Sequence, residues 1–204
     1  LFRESFLEWE HNQANQNMKQ IERALHYEMS MLDMATREWA WWDKTVALTK
    51  KLDITVFRSL ISPPMIKRLT IDGVILTDSN GKILDNFEVD KKSDNFNRVP
   101  DYFLKRIYNG SIILDHKNCK DNRTGMLFIN KKPVIVSSWP VCSSMGTPPI
   151  YGSFITYKYV SGEELKENGT ISNISLDFKP AGNNSLGNAN NTVTSINVGN
   201  RIVS

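Results

Sequence analysis

Hydrophobic residues follow a helical period over roughly the first fifty positions of the chain. They recur at alternating intervals of three and four residues, the spacing of one face of an amphipathic helix. No proline occurs before Pro63 and no glycine before Gly73, so neither residue interrupts the pattern. The positions of this first stripe are Ala14, Met18, Ile21, Leu25, Glu28, Leu32, Ala35, Trp39, Trp42 and Val46, with Glu28 as the one clear violation. The pattern predicts a helix from about residue 3 to about residue 50, about 70 Å long, which exceeds what a compact domain of this size can cover.

A second apolar stripe lies on another face of the same predicted helix. Its positions are Ala24, Tyr27, Met31, Met34, Trp41 and Leu48. A helix that is apolar on two sides is expected to be buried on two sides. One side is then covered by the chain's own sheet, and the other either by the same helix of a second protomer or by later segments of this chain.

The sequence from residue 63 onward has the pattern of strands and turns. Before it, residues 52–61 continue the helix, with Asp53 as a new N-cap, and Pro63-Pro64 are expected to end it. Residues 70–77 and 82–87 predict a hairpin around Asn80-Gly81, and Pro100 and Gly110 bracket a helix at 101–108. Further strands are predicted at 111–115, 125–130, 134–139, 151–160 and near 193–203, with a short helix or turn at 162–168 and an Asn-rich loop at 180–191.

These elements predict an α+β fold. Residues 1–62 form the long N-terminal helix and its continuation, and residues 63–204 form a mainly antiparallel sheet of about five strands, interrupted by one helix.

Composition narrows the class of protein. The 204 residues are 40% hydrophobic and 10% aromatic, enough for a core, which excludes global disorder. The 25 basic and 22 acidic residues are interspersed, so the net charge of +3 is not the signature of a nucleic-acid-binding surface. No apolar run approaches the ~20 residues of a membrane span. The chain opens Leu-Phe-Arg, with no initiator methionine and no signal peptide, and we expect it to be a piece of a longer protein.

Asparagine is frequent, and several asparagines lie in glycosylation sequons. The sequons begin at Asn109, Asn122, Asn168, Asn173, Asn183 and Asn190. Such sequons arise by chance in any Asn-rich chain. Their density, together with the scarcity of cysteine, favours a location outside the cell.

The sequence carries no pattern of catalytic chemistry. There is no phosphate-binding glycine motif and no nucleophile elbow, and the three histidines lie far apart. His116 has Asp115 beside it and Cys119 three residues on, but a solvated strand end explains this group better than a metal site. Cys119 and Cys142 either form a disulfide, which would stabilise the fold by roughly 3 kcal/mol, or are two small core residues. We therefore expect no enzyme activity, no metal and no cofactor.

The most informative string is Arg37-Glu-Trp-Ala-Trp-Trp-Asp43 near the end of the predicted helix. Trp39 and Trp42 share one helical face and Trp41 lies on another, and we expect Trp39, Trp42 and Asp43 to be a structural motif that fills the core where helix meets sheet. With the strand Ile71-Asp-Gly-Val-Ile-Leu-Thr-Asp-Ser-Asn-Gly81, the strand Val134-Ile-Val-Ser-Ser-Trp-Pro-Val141 and the segment Tyr151-Gly-Ser-Phe-Ile-Thr156, the string resembles the fourth class of CHASE domains. Glu38 and Lys44 replace the acidic residues that are expected around the tryptophan pair in that family.

The resemblance implies a PAS-like (Cache-type) sheet packed on a long helix, in the extracellular sensory module of a membrane receptor, most often a histidine kinase. It also implies a homodimer formed through the long helix, flanking transmembrane helices outside this sequence, a location on the extracellular side of the cell membrane, and a signal carried by a small helix displacement. A structural or adhesive surface module that binds a protein partner is the alternative.

A ligand site is expected on the concave face of the sheet, for a small molecule that the sequence does not identify. The candidates with a polar or stacking tip are Trp139, Tyr151, Tyr157, Asp115 and Arg123. For each of them, ordinary packing in the core or at the rim is the alternative to ligand binding.

Overall fold

The computed structural model describes residues 2–51, 57–58, 61–90, 92–93, 95–108, 112–130, 132–163, 176–178, 196–198 and 201–203. Within them, no helix combines the length and the apolar character that crossing a bilayer requires. The predicted loop at 180–191, most of the predicted helix or turn at 162–168, and the predicted helix stop at Gly110 lie outside the described residues.

The long N-terminal helix is present but ends earlier than the hydrophobic pattern predicts. Helix α1 spans Phe2–Ala40, and a second helix, α2, spans Asp43–Lys51. The break has a local cause, because the Thr45 hydroxyl donates a hydrogen bond of 2.7 Å to the Trp39 carbonyl. That carbonyl belongs to the last turn of α1, where helical partners run out. The prediction of one helix to residue 50 was therefore wrong at Trp41 and Trp42.

The two prolines at 63 and 64 begin a new helix, while most of the helix predicted at 52–61, which they were expected to end, lies outside the described residues, as does its expected N-cap Asp53. Helix α3 spans Pro63–Arg68, with Ser62 at its N-cap position. Proline suits the first turn of a helix, where its missing N–H would have had no partner.

A six-stranded antiparallel sheet forms the centre of the domain, and its spatial order is β3-β2-β1-β6-β5-β4. The strands are β1 (Gly73–Thr77), β2 (Ile83–Val89), β3 (Phe96–Asn97), β4 (Arg123–Ile129), β5 (Lys132–Val141) and β6 (Gly152–Tyr159). The last strand, β6, lies between β1 and β5, so the two halves of the sheet meet at the centre. This arrangement confirms the predicted α+β fold of a long helix on a PAS-like sheet.

Between β3 and β4 the chain forms helix α4 (Asp101–Tyr108), as the bracketing residues predict, and a short 3-10 helix (Ile112–Leu114). The strand predicted at 111–115 is wrong. Such a short apolar run is equally compatible with a helical turn. Ile113 and Leu114 use that turn to pack against the core beneath α4.

Three short strands near the C-terminus form a separate sheet in the order β7-β8-β9. They are β7 (Leu176–Phe178), β8 (Ile196–Val198) and β9 (Arg201–Val203). The single strand predicted near 193–203 is thus two strands, β8 and β9, which pair with each other.

Each face of the central sheet has its own hydrophobic core. The α1 face packs the first stripe of α1, including Leu25, Leu32 and Trp39, against strand residues such as Phe154. The α4 face packs Phe103 and other α4 residues against alternate strand residues.

The second stripe of α1 is only partly covered. Ala24 and Leu48 are buried, whereas Tyr27 is 61%, Met31 39% and Met34 50% exposed. The chain's own sheet therefore covers the first stripe from Ile21 to Trp39 and leaves the middle of the second stripe open.

Candidate functional site

The five residues predicted to bind a ligand lie on two different sides of the sheet. Trp139 and Tyr151 pack with the core of the α1 face, and Tyr157 belongs to the core of the α4 face. Arg123 shares the α4 face with Leu127 through strand alternation, and Asp115 lies in the loop that covers the end of this face. The structure therefore brings Asp115 and Arg123 together and separates both from Trp139 and Tyr151.

The centre of the α4 face is filled by aromatic packing. The Tyr157 ring is completely buried, and its centroid lies 3.9 Å from that of Phe103 on α4. Gly73 leaves the space for this ring, because a Cβ there would lie 2.3 Å from the Tyr157 ring. Tyr157 is thus a core residue at the place where the sequence predicts a ligand contact.

Glu88 accepts hydrogen bonds from two tyrosines at one end of this face. The hydroxyls of Tyr157 and Tyr159 donate to Glu88 Oε1 over 2.6 and 2.9 Å. Burial, with the nearby carboxylate, raises the pKa of both tyrosines, so both stay protonated and act as donors. Tyr108 on α4 donates a 2.6 Å hydrogen bond to the Gly81 carbonyl, and burial raises its pKa to about 12.

The opposite end of the α4 face carries a polar group built around His116. Its Nδ1 contacts the Asp121 carbonyl, which can only accept, so Nδ1 carries the hydrogen. In the neutral ring Nε2 then accepts from the hydroxyl of the buried Ser138, 3.0 Å away. Burial is the main cause that lowers the pKa of His116, and the positive charge of Arg123 adds to it. The histidine is therefore neutral at pH 7.

Arg123 is held in place by the same loop. Its guanidinium donates to both carboxylate oxygens of Asp121 and, over 3.1 Å, to the Asp115 carbonyl. The hydrogen bond from Arg123 is the main cause that lowers the pKa of Asp121, followed by the Lys117 backbone N–H. Asp115 thus contributes its backbone carbonyl to this group.

Open space lies beside this polar group, at Gly125. A Cβ added to Gly125 would meet no atom within 4 Å. Gly125 pairs with Val136 and lies two residues from Arg123, whose partner across the strands is Ser138. On the α4 face, Gly125 is therefore an open position next to Arg123 and diagonal to Ser138, the partner of His116, and we call this group the Gly125 site.

The loop that contributes His116 to the Gly125 site, residues 115–122, is fastened at several points. A disulfide joins Cys119 to Cys142, just after the end of β5, with the Cα atoms 6.0 Å apart. Within the loop, the Lys117 N–H donates a 2.8 Å hydrogen bond to Asp121. Both cysteines are buried, so the bridge is part of the core.

Across the sheet, the α1 face carries a polar group that the sequence does not reveal. Asp33 of α1 accepts hydrogen bonds at Oδ1 from four side chains of other elements: Asn122, Thr124, Ser137 and Trp139. These partners are 89 to 106 positions away in sequence, and no pattern within the helix identifies them. Trp139 binds Asp33 through its indole N–H over 2.8 Å, which accounts for its polar end without a ligand.

Among the described residues, no group of three or more His, Cys, Asp or Glu residues is placed to hold a metal ion.

A family model for the CHASE4 domain matches residues 24–179, which is more than half of the chain. The chain belongs to the CHASE4 family. The match begins in α1 and includes the whole central sheet, so it confirms the resemblance that the Trp-rich string and the two strand motifs indicate. This CHASE4 chain is therefore a sensory domain of a receptor.

Comparison with solved structures gives a distant likeness to the extracellular domain of vpHK1S-Z8, described as a candidate histidine kinase. The TM-score is 0.46 and the sequence identity 11%, and the comparison covers 78% of this chain. It covers 62% of that chain, so the CHASE4 chain spans less than two thirds of its length. No curated protein matches this sequence.

In the Trp-rich string of this CHASE4 domain, the tryptophans that pack inward are Trp39 and Trp41, and not the predicted pair of Trp39 and Trp42. Trp39 is 3% exposed and packs on Phe154, with ring centroids 5.8 Å apart. Trp42 is 37% exposed, so the prediction that it is a buried partner of Trp39 was wrong. The helix break after Ala40 is the reason, because it removes Trp42 from the helical face that the spacing assigns to it.

Trp41 takes the inner position instead. Its ring meets that of Trp139 edge-on, with centroids 5.6 Å apart. It also lies under Gly146, where a Cβ would come within 2.7 Å of the indole and where φ is +64°. Asp43, at the start of α2, accepts long hydrogen bonds from the N–H and hydroxyl of Ser144. The string thus anchors the loop after β5.

Tyr151 also lies on the α1 side of the sheet. The Lys50 ammonium of α2 lies 4.3 Å from the centroid of its ring, in a cation–π contact. Like Trp139, Tyr151 is engaged by the helices and lies on the opposite side of the sheet from the Gly125 site.

Proposed function

We propose that this CHASE4 domain is the extracellular ligand-sensing part of a membrane receptor, with a sensor histidine kinase as the receptor class that the resemblance implies. The ligand is a small polar molecule bound at the Gly125 site. Helix α1 carries the state of that site toward the membrane.

The observation that carries the proposal is the open position at Gly125, on the sheet face opposite α1. It is bordered by prearranged polar side chains, since His116, Ser138 and Arg123 already have fixed hydrogen-bond partners. A few convergent polar groups are a usual feature of a small-molecule site. The aromatic centre at Tyr157 and Phe103 is filled, which directs the proposal to the edge of the face.

Arg123 favours a ligand with a carboxylate or another hydrogen-bond acceptor. A guanidinium presents several donors in one plane, which suits such groups. Binding at this position would compete with Asp121 for Arg123 and so would rearrange the loop. The proposal includes no catalytic step.

The test is a thermal-shift screen of small carboxylates, amines and sugars on the 204-residue chain. A ligand that binds only the folded state raises its stability by about 2.7 kcal/mol at a hundredfold excess over Kd. Gly125→Val should abolish the response, because its side chain occupies the open position while a β-branched residue suits a strand.

Tyr151→Phe is the matched control on the other side of the sheet and should keep the full response. A ligand whose effect survives Gly125→Val and disappears in Tyr151→Phe would place the site on the α1 side and refute the proposal.

We also propose that a second copy of the chain covers the open part of the second stripe, at Tyr27, Met31 and Met34. These three side chains lie on one face of α1, and all of them are well exposed. The stripe that faces the sheet is already covered, so Leu25 and Leu32 are core residues and take no part in this contact. The same exposed stripe also suits an unrelated protein partner, as the alternative of a surface module requires.

A further inference from the structure

Asp33 is a point where several polar contacts between α1 and the described parts of β4, β5 and the loop 115–122 converge. One carboxylate oxygen accepts from the Asn122 amide and the Trp139 indole, both over 2.8 Å, and from Ser137 over 3.1 Å. Thr124 donates to the same oxygen. Hydrogen bonds to an ionised acceptor are roughly twice as strong as neutral ones, so this group fixes the position of α1 on β4 and β5.

The loop 115–122 reaches this carboxylate from the other face of the sheet. His116 is bound to the Asp121 carbonyl on the α4 face, and the next residue, Asn122, donates to Asp33 on the α1 face. The loop thus passes around the β4 edge and contacts both the Gly125 site and the helix.

Strand β5 gives a second connection between the same two groups. Ser138 contacts His116 on the α4 face, while its neighbours Ser137 and Trp139 contact Asp33 on the α1 face. Because successive strand side chains point to opposite faces, a displacement of Ser138 moves both neighbours.

We infer that Asp33 is a positioning residue that couples the loop 115–122, and with it the Gly125 site, to helix α1. The inference rests on the proposed sensory function for its biological meaning. The coupling itself is a response of α1 to a change at His116, and this response can be measured without a ligand. A domain that binds nothing could still show the coupling, and a domain that binds a ligand could lack it.

The experiment measures hydrogen exchange of the α1 amides at residues 33–37 in the 204-residue chain. His116→Ala perturbs the loop at a residue that does not contact Asp33. We expect it to raise the exchange rates of these amides by about threefold or more in the otherwise unchanged chain. In the Asp33→Asn background the same substitution should raise them clearly less, because the neutral amide oxygen is a weaker acceptor and the connection is already weakened.

Thr36→Val is the control within α1. Thr36 bonds to Thr156 of β6, away from the loop, so the effect of His116→Ala should persist in this background. Tyr108→Phe is the control on the α4 face, since it removes a contact at the other end and should not change α1 exchange.

Should Asp33→Asn fail to fold, Asn122→Ala removes only the loop's own donor and should also reduce the response. An unchanged α1 after His116→Ala would overturn the coupling. A response of equal size with and without the Asp33 or Asn122 contact would do the same.

Discussion

At the scale of single residues, Glu28 explains why the apolar stripe of α1 tolerates a charge. Its carboxylate is bound to the Lys158 ammonium of β6 over 2.7 Å, and both side chains are at most 10% exposed. Lys158 also donates a 3.0 Å hydrogen bond to Thr70. A charge is buried at low cost only where a partner and further hydrogen bonds are in place.

Replacing one partner of this pair should destabilise the domain far more than replacing both. Lys158→Met leaves the Glu28 carboxylate buried without its cation and should lower the free energy of unfolding by about 3–5 kcal/mol. The double variant Glu28→Leu, Lys158→Met should return close to the original stability. Urea unfolding of the single and double variants measures both values, and a double variant as unstable as the single one would contradict the account.

The two tryptophans that the spacing pairs should respond differently to truncation. Trp39→Ala empties a packed position against Phe154 and should cost about 3–5 kcal/mol. Trp42→Ala removes a side chain that is 37% exposed and should cost about 1 kcal/mol or less. Equal losses of unfolding free energy in chemical denaturation would show that Trp42 is as well packed as Trp39 and would contradict this account.

At the scale of elements, the loop 115–122 carries a titrating group, His116, that makes the stability of the domain depend on pH. Burial lowers the folded-state pKa of His116 below its ordinary 6.5, so the unfolded chain takes up a proton before the folded one does. The unfolding free energy is therefore greatest above about pH 6.5 and falls as the pH drops from there toward the folded-state pKa. The charged groups that face this ring are Asp115, Asp121 and Arg123.

Unfolding measured between about pH 5 and pH 7.5 should show this decline, and His116→Gln should flatten it, because the amide does not titrate. A pH profile identical in the two proteins would show that His116 titrates alike in the folded and unfolded chains.

Helix α1 is held on the sheet by directional contacts as well as by apolar packing. Its contacts with β4, β5 and β6 include one apolar stripe and the side chains of Glu28, Asp33 and Thr36 in successive turns. Apolar packing alone would allow the helix to slide or rotate, whereas these directional contacts set one position. A helix held in this way can respond in a defined direction when one of the contacts changes.

At the scale of the whole molecule, the open stripe of α1 should drive self-association. Met31→Ser with Met34→Ser removes apolar surface without touching the core and should reduce the dimer fraction in sedimentation experiments. Lys44→Ser, an exposed change at the start of α2, is the control and should leave association unchanged. A chain that remains monomeric at high concentration would exclude the dimer for the isolated domain.

The central sheet separates the two activities that the proposal assigns to the domain. Its α4 face carries the Gly125 site, and its α1 face carries the helix. Strand β5 and the loop 115–122 serve both faces. Under this proposal, the sensing surface lies one strand's thickness from the helix that carries the signal.

The sequence by itself determined the elements and the family. Local signals were sufficient for α1, the hairpin of β1 and β2, and α4 between its proline and glycine, because helical period, turn residues and caps act over a few positions. The order of three degenerate motifs was sufficient for the CHASE4 family. Local signals failed where short stretches have two solutions, at Trp41-Trp42 and at residues 112–114.

Only the tertiary structure decided which residues meet. Strand alternation predicts that Ser137 and Ser138 face opposite ways, but not that the first faces Asp33 and the second His116. The partners of Asp33 and Glu28 lie 89 to 130 positions away, and the order of strands in the sheet brings them together. Residue type and spacing describe one element at a time. The candidate site depends on how the elements are arranged around the sheet, which is a property of the whole folded chain.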